Sequence, residues 1–358
     1  MRRRKDEGIA LILALLVLVI LVVVILQMTA SSLHNRTLAE NHLSDLQNTY
    51  GARAGYARAI LFLQDDLEKS PDVDSMRERW ATPLEFEMGK AHVKVAVADS
   101  ERSINLSQLV NDKGEVNATV ASQLKRLVKL LQHTPDIADR IIDYIDQDTK
   151  GEFEARAKND KLFNVDELLR IEGLTPEIVY GGMIQGQETK GLREFLTIWP
   201  KAPPEGGGVA AGSVNVNTAP AEVLQSLSDL MTPAVAEAIV AYRTQPGTDG
   251  KMQEFQKVDD LKRVQTMTDG IFTSIQGQLV VKSSTFEIRS RGRVANVEKT
   301  WVYVVQRKGG GGAAAAPPTP PPPSGGSTPP PAAAATHTLI GAQALNDFTS
   351  AKPPELEK

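Results

Sequence analysis

Asp143, Asp146, Asp148 and Glu152 place four carboxylates within ten residues, with Lys150 and Gly151 among them. Carboxylate oxygens are hard ligands, and Asp residues two apart in a tight turn can face one hard cation. Asp146, Asp148 and Gly151 stand at positions one, three and six of a calcium loop, but Lys150 and Ala157 fill positions five and twelve, where oxygen ligands belong. A full calcium hand is therefore excluded. The four acids remain the candidate metal ligands, with Ca2+ the candidate ion; the same residues also read as the solvated end of a helix. Without a cation they repel one another at neutral pH. The histidines, His34, His42, His92, His133 and His337, are scattered, and no hydrolase, zinc-protease or phosphate-loop pattern occurs. No catalytic residue is expected. The absence of cysteine excludes disulfides and thiolate zinc sites. A net charge of −4 gives no general attraction to nucleic acid.

The acids lie in a long segment, residues 100–276, that reads as helical and repeats itself. Ser103-Ile104-Asn105-Leu106 matches Ser213-Val214-Asn215-Val216. Thr134-Pro135 through Asp143-Tyr144 matches Thr232-Pro233 through Ala241-Tyr242. Phe163, Val165, Asp166, Glu167 and Leu168 match Phe255, Val258, Asp259, Asp260 and Leu261. In each copy Thr-Pro opens a helix, where proline fits the first turn. The unequal spacings predict two related bundles rather than a solenoid.

The elements that position this insertion lie on both sides of it. From Ile9 to Leu26 no side chain is polar, and Arg2, Arg3, Arg4 and Lys5 precede the run. Eighteen such residues rise about 27 Å in a helix, close to the hydrocarbon thickness of a bilayer. The basic cluster predicts a cytoplasmic N-terminus and an external bulk. Leu43, Leu46, Tyr50, Ala54, Ala57 and Leu61 continue the helical period, and nothing breaks it before Ser70-Pro71. One helix of about 90 Å is expected over residues 9–70. Strand patterns follow at Val93–Val97 and, after the insertion, at Gln278–Val281, Phe286–Arg291 and Lys299–Gln306. These predict an antiparallel sheet from residues 71–99 and 277–308, packed on the helix. The fold class is α+β. Residues 309–358, rich in Gly, Ala and Pro at first, are expected to be a disordered tail.

The polar leader, Gly8 and the apolar run after it resemble the class III signal of type IV pilins and type II secretion pseudopilins. The resemblance implies that residues 1–8 are a leader, that a prepilin peptidase cuts between Gly8 and Ile9, and that Ile9 is then methylated. Most pilins carry Glu at the fifth mature position; here it is Leu13. A carboxylate in lipid is costly unless paired, and a subunit that starts a filament has no partner for one. Leu13, Asp99 with Ile104-Asn105-Leu106, Leu196-Thr197-Ile198-Trp199, Asn215-Val216-Asn217-Thr218-Ala219-Pro220, Asn159, Glu167-Leu168 and Gly173 together resemble the minor pseudopilin K family of type II secretion. That family implies a pilin-like helix on a sheet, a large helical insertion, calcium near the Asp-x-Asp run, and a structural role at the pseudopilus tip. It implies other minor pseudopilins, the inner-membrane secretion platform, and secreted cargo or the secretin as partners. The segment after Asp148 lacks the tyrosines expected there, which leaves the calcium site open. The second repeat also resembles a helix-hairpin-helix module. Its hairpin, Leu230-Met231-Thr232-Pro233, has no glycine, and proline removes an amide that phosphate would need. A membrane-anchored DNA receptor and a type IV pilus minor pilin are the alternatives.

Overall fold

The computed structural model describes residues 3–111, 113–148, 150–184, 186–201, 210–247, 250, 252–295, 297–308 and 336–345. Helix α1 runs unbroken from Arg3 to Lys69 and ends where Pro71 removes the next amide. Its apolar half, Ile9 to Leu26, stays exposed among the described residues. Its other half lies on an antiparallel sheet of five strands: β1 (Leu84–Met88), β2 (Ala91–Asp99), β9 (Thr285–Val294), β10 (Val297–Lys308) and β11 (Thr336–Leu345), paired in that order.

Ala59 and Leu63 of α1 are buried against Val93, Val95, Phe286, Ile288, Tyr303 and Val305. Tyr56 meets Tyr303 with ring centroids 4.5 Å apart, and Trp80 closes the end edge-on to Phe286 at 5.2 Å. Gly55 permits the close approach of helix and sheet: a Cβ there would fall 2.1 Å from Ser290 Oγ. The residue that weakens the helix in isolation is thus the one that lets it dock.

Between β2 and β9 the chain forms the insertion, with a separate hydrophobic core. Its first half holds β3 (Ile104–Asn105), α2 (Ala118–Leu130), α3 (Asp136–Ile145), α4 (Pro176–Tyr180), the hairpin β4 (Gly181–Ile184) and β5 (Gln187–Lys190), and β6 (Leu196–Thr197). The second half holds β7 (Val214–Asn215), α5 (Ala221–Ser226), α6 (Pro233–Thr244), α7 (Asp269–Ile275) and β8 (Leu279–Val280). The repeat is visible in three dimensions. Each half opens and closes with a two-residue parallel pairing, β3 with β6 and β7 with β8.

Three expectations need correction. The strand around Gln278–Val281 does not join the main sheet; Leu279 and Val280 pair with Val214 and Asn215 and close the second repeat. β1 was not expected, although Leu84, Phe86 and Met88 alternate with Glu85 and Glu87. Nor is the tail unstructured throughout. Thr336–Leu345 is the fifth strand, held on β10. Residues 309–335 and 346–358 lie outside the described residues, as do Met1 and Arg2.

Candidate functional site

α3 ends at Ile145, and the loop after it turns back on itself. Asn159, at φ 53°, donates its backbone N–H to the Tyr144 carbonyl at 3.0 Å and its side-chain amide to the Asp148 carbonyl at 3.0 Å. The return brings carboxylate oxygens of Asp146, Asp148 and Glu154 within 4.8 Å of one another. Asp146 Oδ1, Glu154 Oε1 and Asn159 Oδ1 are all buried without a hydrogen-bond donor. Burial, then the neighbouring Asp148, Glu154 and Asp143, push the Asp146 carboxyl up to about 6. Buried acceptors without donors are costly. A hard cation among the Asp146, Asp148 and Glu154 carboxylates would supply a missing partner, and calcium prefers such oxygen ligands. The residues present therefore fit the ion.

Of the four expected ligands, Asp146 and Asp148 converge and two do not. Glu152 is exposed, and Glu154 stands in the cluster instead. Asp143 Oδ2 accepts the Phe153 N–H at 2.9 Å, so it holds the loop's return. Gly151 permits this: a Cβ there would lie 2.2 Å from Asp143 Oδ2. Asn159 was singled out in the sequence only as part of the family resemblance; its role at the loop comes from the fold.

A second acidic group, not singled out beforehand, joins the two cores. Asp66 on α1, Asp74 and Glu78 also bring oxygens within 4.8 Å of one another. Here a cation is built in. Arg307 of β10 reaches Asp74 Oδ1 at 3.0 Å and Asp66 Oδ2 at 3.3 Å, with all three side chains almost wholly buried. Burial raises Asp74 to about 6 and Asp66 to about 7 despite Arg307, and raises Glu78 to about 9 with help from Asp66. Glu78 then stays protonated at neutral pH, hydrogen-bonded to Asp66.

The network continues into the insertion. Asp99 Oδ2 accepts from Thr218 Oγ1 and Ser283 Oγ, each at 2.6 Å, and from Asn215 Nδ2 at 3.1 Å. Asn215 also reaches the Asp74 carbonyl at 3.0 Å. Asn217 clamps the Phe255 backbone through both its amide atoms, at 2.8 and 3.0 Å. Arg243 crosses beneath to donate to the Val216 and Ala219 carbonyls. The Asn-x-Asn-Thr-Ala-Pro motif thus fastens the insertion to the sheet. In the first repeat Asn105 bonds inside the insertion instead, donating to the Pro200 carbonyl at 2.9 Å.

Gly8 and Ile9 lie within α1, with no break at the expected cleavage point. Leu13 is 55% exposed on the free apolar stretch. A cleft of about 940 Å³ opens between β2, β9 and the β4–β5 hairpin, and among the described residues no histidine lines it. At the 230–233 hairpin the Leu230 and Met231 amides turn back to Ser228. Beside them Asp229 is held charged by a two-point pair with Arg126, 2.9 Å each. An anionic phosphate would meet a carboxylate there.

Among the described residues one N-terminal helix is long and apolar enough to cross a membrane, and it runs on into a pilin-like fold of helix-backed sheet with inserted repeats. Comparison with known proteins narrows this. Residues 103–181 match the family model for type II secretion system (T2SS) protein K, and residues 209–280 match the helix-hairpin-helix motif. A chain of the crystal structure of the GspK-GspI-GspJ complex from enterotoxigenic Escherichia coli superposes with a TM-score of 0.59 at 18% identity, covering 87% of this chain and 99% of that one. ComE operon protein 1 of Bacillus subtilis (strain 168) is 35% identical over 85 residues, 22% of this chain; the chain spans 38% of that relative's length. The resemblance to protein K stands, carried by the first repeat and by the fold. The likeness to ComE operon protein 1 covers one module's worth of chain.

Proposed function

We propose that this chain is a minor pseudopilin of the protein K kind, standing at the tip of a type II secretion pseudopilus and initiating its assembly for export across the outer membrane. It acts as a structural subunit, without catalysis. One observation carries the reading: a module matching protein K is set between β2 and β9 of a pilin-like sheet, behind an unbroken α1. Leu13 agrees with a first position, because no subunit above it would supply an amine for a carboxylate. Prepilin peptidase would cut after Gly8, leaving a single-pass protein in the inner membrane with its bulk in the periplasm. Leu43, Leu46, Tyr50 and Leu61, exposed along α1, offer an apolar stripe to other minor pseudopilins. The inner-membrane platform would receive the complex, and the insertion would face cargo or the secretin. Asp146, Asp148, Glu154 and Asn159 would hold calcium; a bound ion supplies charge neutralisation and fixes the loop's return.

The test is co-purification from native membranes after mild detergent extraction. The chain should emerge with the other minor pseudopilins of its own system, with Ile9 as its N-terminal residue by mass spectrometry. An intact Met1 in cells with active prepilin peptidase, or co-purification with pilus subunits instead, would overturn the reading. DNA reception is disfavoured by Asp229; salt-dependent retention of DNA by the purified protein would revive it.

A further inference from the structure

Phe153 is where the loop after α3 turns back, and α3 grips it at two points. Asp143 Oδ2 accepts its backbone N–H at 2.9 Å, and the Arg140 guanidinium lies over its ring, 3.9 Å from the centroid. Helix residues three apart stand on one face, so both grips come from the same side of α3, one on the main chain and one on the side chain. Arg140 is fixed in turn. Its Nε donates to Asp136 Oδ2 at 2.9 Å, one turn back on α3, and its Nη1 donates to the Glu172 carbonyl at 3.1 Å. Gly173, at φ 91°, makes room for it: a Cβ there would lie 3.3 Å from Arg140 Nε. A planar guanidinium has donors in a fixed fork and a face left over for an aromatic ring.

The residue after this grip carries a ligand. Glu154 follows Phe153 directly, and its carboxylate is the member of the cluster that the loop's return brings to Asp146 and Asp148. Between Asp148 and Asn159 the regular structure among the described residues is the single turn Glu154–Arg156. A segment with so little hydrogen-bonded structure of its own depends on side-chain grips for its order. The charge of Arg140 is directed elsewhere. Thr134 and Arg140 hold the Asp136 carboxyl below its ordinary value, whereas the charges acting on Asp146 are those of Asp148, Glu154 and Asp143. Arg140 thus serves the cluster by placement and not as its counter-charge.

We infer that Arg140 is a positioning residue for the calcium loop: by holding the Phe153 ring it fixes the entry of Glu154 into the carboxylate cluster, so that the oxygens are set before the ion arrives. The inference rests on the calcium reading above and adds to it a pair of residues that are not ligands. Groups that orient ligands without touching a metal are worth about 10–100-fold in affinity.

The test is calcium titration calorimetry on the full-length protein in detergent, stripped of metal beforehand and held well below the melting temperature of every variant. Phe153→Ala removes the ring and leaves Arg140 its bonds to Asp136 and Glu172; it should raise the dissociation constant about tenfold. Arg140→Ala should do the same, and the double variant should bind no more weakly than the weaker single one, because the two residues act as a unit. Phe153→Tyr keeps the ring and should bind as wild type does. Alanine variants that bind calcium as tightly as wild type would overturn the positioning role and leave the calcium reading standing. Weakening by Arg140→Ala with Phe153→Ala unchanged would assign the effect to the guanidinium's charge and overturn it too, as would losses that simply add in the double variant. Absence of calcium binding by wild type would overturn both readings together.

Discussion

Asp66, Asp74 and Glu78 at the junction and Asp146, Asp148 and Glu154 in the loop are equally close-set groups of carboxylates. At the junction Arg307 reaches two of the acids, the Ser283 amide donates to Asp74, the Ser75 amide and the Trp80 indole donate to Glu78, and burial favours a proton on Glu78. In the loop every influence on Asp146 raises its pKa and none lowers it. At the junction the one carboxylate oxygen without a hydrogen-bond donor, Asp74 Oδ1, lies 3.0 Å from the Arg307 guanidinium, whereas among the described residues the loop's orphan oxygens have no such cation. Buried like charges are tolerated only when a counter-charge, a proton or a metal is supplied. The first two serve the junction, and the third is what the loop fits.

The largest effect should come from removing the built-in cation. Arg307→Met leaves Asp66 and Asp74 buried without their partner and should cost about 3–5 kcal/mol in urea denaturation. A loss below about 1 kcal/mol would show that the junction acids simply protonate and that Arg307 contributes little. Next in size is calcium. At a hundredfold excess over the dissociation constant, a site of this kind stabilises by about 2.7 kcal/mol. Thermal melting with calcium and with chelator should show that shift in wild type and lose it in Asp146→Ala/Asp148→Ala. Equal melting of wild type in both conditions would remove the loop from the comparison, and a shift that survives the double substitution would place the ion elsewhere.

Opposite in sign to the usual behaviour of acids is the pH dependence with chelator present. Unfolded carboxyls titrate near 4. The folded junction acids, with Glu101 raised by burial to about 7, hold protons well above that. Unfolding therefore releases protons, and stability should fall as pH rises from about 5 to about 9, by roughly 1 kcal/mol per pH unit for each net proton released. Urea midpoints at several pH values measure it; a rise over that range would mean that Arg307 outweighs burial. The smallest effect separates the two groups most cleanly. Asp146→Asn relieves repulsion, so the calcium-free protein should gain roughly 1 kcal/mol, the scale of a partly solvated charge interaction. In calcium the same change should destabilise. A loss in both conditions would show that Asp146 serves the loop's folding alone.

Much of this was open to reading in one dimension because its causes are local. The apolar run from Ile9, the long helix to Lys69 and the Thr-Pro helix starts follow from periodicity and from where proline stands. Asp146 and Asp148 lie two residues apart, and their type alone suggested a hard cation. Glu154 and Asn159 join them only because the loop returns, fixed by Asn159 at positive φ and by Asp143 on the Phe153 amide. At the junction, Arg307 and Asp66 are 241 residues apart, and Asn215 and Asp74 are 141 apart. Nothing in a serine, threonine or asparagine announces which distant carboxylate it will meet.

By itself the sequence determined the apolar run, the long helix, the repeat and the chemistry of the acids, since each rests on neighbouring residues. Tertiary structure alone decided which acids converge and which one braces the loop, which glycine lets α1 dock, that Leu279–Val280 closes a repeat rather than extending the sheet, and that Thr336–Leu345 is a strand. Strand pairing draws its free energy from a partner backbone far along the chain. A segment such as Thr336–Leu345, without strong alternation of its own, becomes a strand only where β10 presents an edge to receive it.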